Sequence, residues 1–159
     1  MNILITAGMS TLSQRLMRIF SKEDQVLLGD NVAIPDLLIR SGKYMITPST
    51  KNAAFNHEML KIGISRELDL IVPLRMAEIV QLTECKELFV EYGIQLAVPS
   101  QQILDAVEFI INPGKELHPD ILLNGETFRG GIKIEGLEKE SGVCVVSDSG
   151  EEAFFCCLE

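Results

Sequence analysis

The chain has 159 residues, a formal net charge of −9, and 47% hydrophobic and 23% charged residues. This length and composition suit a globular core that needs no metal or disulfide, with room for one domain and part of another. The lysines and arginines are scattered along the sequence. A scattered distribution argues against nucleic acid as a partner, because nucleic-acid binders carry a basic stripe that neutralises phosphates.

The sequence also shows no signal for membrane insertion or secretion. No run of about 18 apolar residues occurs, so we expect no membrane-spanning segment, and the first residues lack the basic start of a signal peptide. The four cysteines occur in no metal-binding or redox spacing; they are Cys85, Cys144, Cys156 and Cys157. We therefore predict free thiols and a cytoplasmic protein.

Short apolar segments alternate with amphipathic ones over the first hundred residues. The predicted strands are 2–6, 25–28, 44–46, 68–72 and 94–98, and the predicted helices are 11–20, 52–62, 76–92 and 100–111. Strands that are apolar throughout are typical of a parallel sheet covered by helices on both faces. The sequence therefore predicts an α/β fold, with a doubly wound parallel sheet over residues 1–100.

The alternation of predicted strands and helices stops after Asn112-Pro113-Gly114. Short strands are predicted at 121–123, 131–135 and 142–146, followed by a closing helix over 149–158 with Ser149 as its N-cap. This small α+β extension is too short for a complete domain. Its open sheet edge and the apolar side chains of Phe154, Phe155 and Leu158 lead us to expect that a second copy or a partner chain packs against it.

The order of these segments resembles the ATP-grasp superfamily, especially the carbamoyl-phosphate-synthase-like ligases. The resemblance is carried by residues 2–8 as opening strand and glycine turn, by 27–30, by 69–74 with Glu78, and by 89–94. It implies that residues 1–100 are a Rossmann-like pre-ATP-grasp domain. It also implies that residues 101–159 are a partial first lobe of the ATP-grasp fold.

The resemblance implies two groups of site residues. Lys133, Ser141 and Gly142 fall where the family contacts the nucleotide, and Gly8, Asp30, Arg75 and Glu78 fall around the substrate pocket. ATP with magnesium is implied only if a partner supplies the second lobe, which carries the magnesium-binding acids in the family. The sequence departs from the family at Ala106 and Ile134. In addition, loop 137–142 holds two carboxylates where a triphosphate would lie, which is electrostatically unfavourable.

Each candidate residue also has a structural interpretation. Gly8 and Asp30 suit turns, Glu78 suits a helix N-terminus, Arg75 suits a surface ion pair, and Lys133 suits the exposed face of a strand. No catalytic residue and no metal ligand is predicted, because His57 and His118 lie in no catalytic or metal-binding spacing.

Three functions therefore stay open. The first is an N-terminal fragment or split subunit of an ATP-grasp ligase that is not catalytic alone. The second is a stand-alone module that binds a small molecule or nucleotide. The third is a nicotinamide-dependent enzyme, which is disfavoured because Thr6, Gly8 and Thr11 stand where the dinucleotide fingerprint has three glycines.

Overall fold

The computed structural model describes residues 1–159, which form two five-stranded sheets with helices around them. The first sheet has the order β3-β2-β1-β4-β5, and all its neighbours are parallel. Its strands are β1 (Asn2–Ile5), β2 (Gln25–Asp30), β3 (Tyr44–Ile46), β4 (Leu70–Val72) and β5 (Gln95–Leu96). The helices between them are α1 (Thr11–Met17), α2 (Asp36–Arg40), α3 (Phe55–Ser65), α4 (Met76–Glu84) and α5 (Lys86–Glu91). The predicted α/β, Rossmann-like class is confirmed.

Strand β1 is apolar from Ile3 to Ile5 because both of its faces are covered there. Ile3 and Ile5 pack in one core with Leu12 and Leu16 of α1. Leu4 belongs to the core on the other face, whose helical members from α3, α4 and α5 include Phe55, Met59, Ile79, Leu82 and Phe89. The two-sided burial explains why no polar residue alternates along this strand.

The chain leaves neighbouring strands β1 and β4 in different directions. Helix α1 follows β1 and packs in one core, whereas α4 follows β4 and packs in the core on the opposite face. Loops that diverge from adjacent parallel strands leave a crevice at the carboxyl edge of the sheet, which is where open α/β sheets bind ligands.

The second sheet is built from the last third of the chain. After α6 (Gln101–Ala106) come β6 (Ile110–Ile111), β7 (Pro119–Leu123), β8 (Glu126–Thr127), β9 (Gly142–Val146) and β10 (Ala153–Cys157). Their order is β6-β10-β9-β7-β8, with β6 parallel to β10 and the other pairs antiparallel.

The predicted closing helix over 149–158 is wrong, because this segment forms strand β10. The serine pattern belongs to the β9–β10 turn, where the Ser149 hydroxyl accepts a hydrogen bond from the Glu151 amide. The Ser147 hydroxyl accepts one from the Glu152 amide. Phe154 and Phe155 then pair with β9, and Cys156 and Cys157 pair with β6. This pairing outweighs a local capping signal that serines give in turns as well.

Other boundaries differ from the prediction in smaller ways. Segment 131–135 forms no strand, and its only ladder contact is a single bridge between Lys133 and Glu126. The helix predicted over 76–92 is divided at Cys85 into α4 and α5. The helix predicted to reach residue 111 ends at Ala106, because Val107 is extended. Helix α2 was not predicted; it is short and has no buried residue.

The second sheet shares its core with the first. Ile121, Val143 and Cys156 pack in the same cluster as Ile3 and Ile5. Two polar contacts reinforce this packing. The Arg15 guanidinium donates to the carbonyls of Pro113, Gly114 and Leu117. The Glu140 carboxylate accepts from the amide and hydroxyl of Ser100, both at 2.7 Å.

The aromatic pair at the end of the chain is divided between interior and surface. Phe155 is 2% exposed and stacks on Phe109 with ring centroids 5.6 Å apart, whereas Phe154 is 46% exposed. The expectation that both side chains need another molecule to cover them is therefore wrong for Phe155, which its own chain buries.

All four cysteines are free, as predicted. Burial raises the pKa of Cys144 and Cys156 to about 12 and that of Cys157 to about 11. Buried thiols with such values are unreactive and act as small apolar side chains. None of the helices has the length and apolar character needed to cross a membrane.

Candidate functional site

A cluster of three charged side chains lies at the carboxyl edge of the parallel sheet. The Nη2 atom of Arg75 donates to Asp30 Oδ1 at 2.7 Å, and the Nη1 atom lies 3.5 Å from Glu78 Oε1. Both carboxylate side chains are 1% exposed, while the arginine side chain is 24% exposed. The structure thus brings together three of the four residues predicted for the substrate pocket.

The positions of these residues follow from the ends of two strands. Asp30 is the last residue of β2, and Arg75 is the N-cap residue of α4, shortly after β4. Glu78 lies one turn into α4, and its carboxylate receives the backbone amide of Arg75 at 3.4 Å. A glutamate at this position satisfies a free amide at the helix start, so Glu78 has the structural role foreseen for it as well.

Thr6 is a member of the cluster that sequence reasoning missed. Its hydroxyl donates to Glu78 Oε2 at 2.5 Å and accepts from the Leu74 amide at 2.8 Å. Thr6 directly follows β1, so its hydroxyl joins the ends of β1 and β4 through Glu78. A polar residue at the end of an apolar strand is the signal that marks it.

Glu78 is fully buried, and this burial raises its pKa above the ordinary value of 4.5, although Thr6 and Arg75 oppose the shift. A raised pKa in the folded state means that ionised Glu78 opposes folding. The unfavourable contribution is present at neutral pH and disappears as the pH falls through the raised folded value towards 4.5,.

We therefore expect Glu78→Gln to alter stability in a pH-dependent way. The free energy of unfolding of the variant, minus that of the wild type, should be most positive at neutral pH and should decrease towards pH 4.5,. Urea unfolding at several pH values measures this difference, with Glu87→Gln at an exposed position of α5 as the matched control. A difference that is constant, or that increases on acidification, would contradict the prediction.

The turn after β1 does not offer a free phosphate cradle. The Gly8 amide donates to Gly29 O at 2.8 Å, and the Met9 amide donates to Asp30 Oδ2 at 2.9 Å. A Cβ on Gly8 would lie 2.8 Å from the Leu28 Cβ, so this glycine permits close packing of the turn on β2. The Asp30 carboxylate thus engages the Met9 amide and the Gly29 carbonyl engages the Gly8 amide. Neither amide is free for a dinucleotide phosphate, which disfavours the nicotinamide hypothesis further.

Two buried polar atoms near this edge have no hydrogen-bond partner. They are the Thr47 hydroxyl, just after β3, and Asn56 Oδ1 in the first turn of α3. Thr47 is 3% exposed, and its amide donates to Asp30 O at 2.8 Å, which places it beside the charged cluster. An unpaired buried hydroxyl is unfavourable by about 1–3 kcal/mol, so each atom is a candidate for contact with a ligand.

The end of the second sheet reaches the same edge. The Leu158 amide donates to Leu74 O at 2.7 Å, and the Met76 amide donates to Leu158 O at 2.9 Å. The backbone after β10 thus lies against the β4–α4 connection that carries Arg75. The connection that carries Arg75 is therefore hydrogen-bonded on both sides to the backbone that leaves the second sheet.

The residues predicted for nucleotide contact lie elsewhere. Lys133 is exposed and lines a shallow cavity of about 290 Å³ whose wall also contains Glu126, Glu135 and Glu138. Ser141 is buried, and its hydroxyl accepts from the Asn124 amide at 3.1 Å.

Gly142 begins β9 and lies against the Phe155 ring. Ser141 and Gly142 therefore have packing roles, and the carboxylates beside Lys133 oppose a phosphate there.

Every carboxylate oxygen of the cluster at the carboxyl edge accepts a hydrogen bond. Asp30 and Glu78 are buried and fully engaged, and no group of three or more His, Cys, Asp or Glu side chains is arranged to hold a metal ion. Only Arg75 combines a charge with partial exposure.

No family model matches the sequence, and comparison with curated proteins finds no similar sequence.

Proposed function

We propose that this chain is a non-catalytic module that binds a small anionic ligand at the carboxyl edge of its parallel sheet. The observation that carries the proposal is the state of Arg75. Its guanidinium is held by two buried carboxylates, yet 24% of the side chain remains exposed. A charge that is already oriented loses little conformational entropy when it binds a ligand.

The chemistry of the ligand follows from the groups that remain free. A guanidinium has five N–H donors in a planar fork, and Asp30 and Glu78 each engage one nitrogen. Asp30 and Glu78 already balance the charge of the guanidinium. The remaining donors therefore suit a carboxylate that is held by hydrogen bonds rather than by net charge. The unpaired Thr47 hydroxyl nearby suits a hydroxyl or amino group. A small hydroxy acid or amino acid has both features.

Calorimetric titration tests this proposal directly. A panel of small hydroxy and amino acids should contain a ligand that binds one-to-one, and NAD should not bind. Arg75→Lys keeps the charge but loses the fork, so it should weaken binding about tenfold. Equal affinity in Arg75→Lys, or binding of NAD that Gly8→Ala abolishes, would contradict the proposal.

A second candidate is the split subunit of an ATP-grasp ligase that the resemblance implies. Two surface features favour it: Phe154 is 46% exposed on the second sheet, and Lys133 opens to solvent beside edge strand β8. A second copy or a partner chain on this face would cover Phe154. ATP with magnesium would bind only if a partner supplies the lobe with the magnesium-binding acids. Free, buried thiols support a cytoplasmic location for either candidate,.

The second candidate has its own test. Light scattering should give a mass above that of the monomer, and Phe154→Asp should return the monomer. The chain alone should not turn over ATP, because phosphoryl transfer depends on a metal and positioned charges. A monomer at every concentration, or ATP turnover that Lys133→Ala abolishes, would contradict this candidate while leaving the carboxyl-edge ligand site untouched.

A further inference from the structure

A second cavity lies at the opposite, amino edge of the parallel sheet. It has a volume of about 660 Å³ and is lined by the starts of β1 and β2, including Asn2 and Gln25. The loops α1–β2, α2–β3 and α3–β4 converge around it. Each of these three loops contributes one cation: Lys22, Lys43 and Arg66 respectively.

The charge of this cavity is opposite to that of the whole chain, which is −9. Lys22, Lys43 and Arg66 are exposed, and none takes part in an ion pair. Asp24 is the one carboxylate in the wall. It is occupied by the amine of Met1 at 3.1 Å and by the Ser21 amide at 3.1 Å.

The cavity also has an apolar part. Met17 at the end of α1, Val26 and Leu27 of β2, and Leu68 before β4 all line it. A volume of this size is typical of sites for small molecules, which combine an apolar lining with a few convergent polar groups. The three cations suit a phosphoryl group with two negative charges, and the apolar wall suits the organic part attached to it.

We propose that this amino-edge cavity is a binding site for a small organic phosphate. The phosphoryl group lies among Lys22, Lys43 and Arg66, and the organic group packs on Met17, Val26 and Leu27. The site is independent of the carboxyl-edge site at Arg75, because the two lie at opposite ends of the same strands. Its failure would therefore leave the proposed function unchanged, and the reverse also holds.

Titration with two probes tests the site. Inorganic pyrophosphate supplies charge alone, and phenyl phosphate supplies charge with an apolar ring. Both should bind one-to-one, and added salt should weaken both. The double variant Lys43→Ala with Arg66→Ala should weaken each by about tenfold or more. The control is Lys115→Ala, an exposed lysine outside the cavity with no ion pair.

Amide chemical shifts locate the bound anion. The amides of Gly42 and Gln25, which line the cavity, should shift on addition of phenyl phosphate, while those of Gly8 and Asn31 at the carboxyl edge should not. The proposal is overturned if neither probe binds, if the double variant binds as tightly as Lys115→Ala, or if the shifts appear at Gly8 and Asn31. If neither probe binds, the three cations serve only to balance the free carbonyls at the C-terminal ends of α1, α2 and α3,.

Discussion

Replacing Arg75 with alanine should lower the free energy of unfolding by about 3 kcal/mol at neutral pH. The reason is that Asp30 and Glu78, each 1% exposed, would lose their shared counter-charge. Buried carboxylates without a partner are far more unfavourable than a missing surface ion pair. Chemical denaturation of the wild type and the variant measures the difference.

Two further variants show whether the loss comes from the buried carboxylates. Arg40→Ala, an exposed arginine with no ion pair, should change stability by less than about 0.5 kcal/mol,. Asp30→Asn removes one of the two buried negative charges that Arg75→Ala leaves without a partner. The double variant Arg75→Ala with Asp30→Asn should therefore lose less than the sum of the two single losses. Strict additivity, or a loss at Arg75 no greater than that at Arg40, would show that the cluster contributes no coupling.

Replacing Phe155 with alanine should lower the free energy of unfolding by about 4 kcal/mol. The ring is 2% exposed, stacks on Phe109, and packs in a core with Leu122, Ile134 and Cys144. Removing it leaves a cavity that these neighbours fill only in part. The loss should appear in the same transition that unfolds the parallel sheet, because the two sheets share one cluster.

The neighbouring Phe154 is the matched control for this variant. It has the same chemistry and strand but is 46% exposed, so Phe154→Ala should reduce stability by less than about 1 kcal/mol,. The two variants together test the position of β10, since a helix over the same residues would bury a different set of side chains. Equal losses at the two positions would contradict the burial of Phe155 and the exposure of Phe154 in β10.

The fold of the first hundred residues was predictable because its signals are local. Ile3, Leu4 and Ile5 are consecutive and apolar, and the short run ends at a glycine turn, which indicates a strand covered on both faces. The second sheet was less predictable. Ser149 followed by Glu151 and Glu152 fits a helix start and a serine turn equally well, and only the pairing of Phe155 with Cys144 selects the strand.

Three members of the candidate site were predictable, whereas its fourth member, Thr6, and its architecture were not. Asp30, Arg75 and Glu78 were identified by their places after strands and from the resemblance to a family. The ion pair of Asp30 with Arg75 spans 45 positions in the sequence, and no local pattern indicates it. The role of Thr6 as the hydroxyl between Glu78 and Leu74 likewise depends on β1 and β4 being neighbours.

The amino-edge cavity shows the same limit. Lys22, Lys43 and Arg66 belong to three separate loops, and each looks like an ordinary surface cation in its own segment. They converge because the amino ends of the strands in a parallel sheet lie on one edge, so that the loops entering them are brought together. The distribution of charge along the sequence therefore says little about the local charge of this edge.

The central claim is that residues 1–159 form one cooperative module, in which the second sheet is an integral part of the core that supports the Arg75 site. Native-state hydrogen exchange tests it most directly. The slowest amides of β9 and β10 should open with the same free energy as those of β1 and β4, within about 1 kcal/mol, because Ile121, Val143 and Cys156 share a cluster with Ile3 and Ile5,. Exchange of β9 and β10 as a separate unit, several kcal/mol below β1 and β4, would contradict the claim.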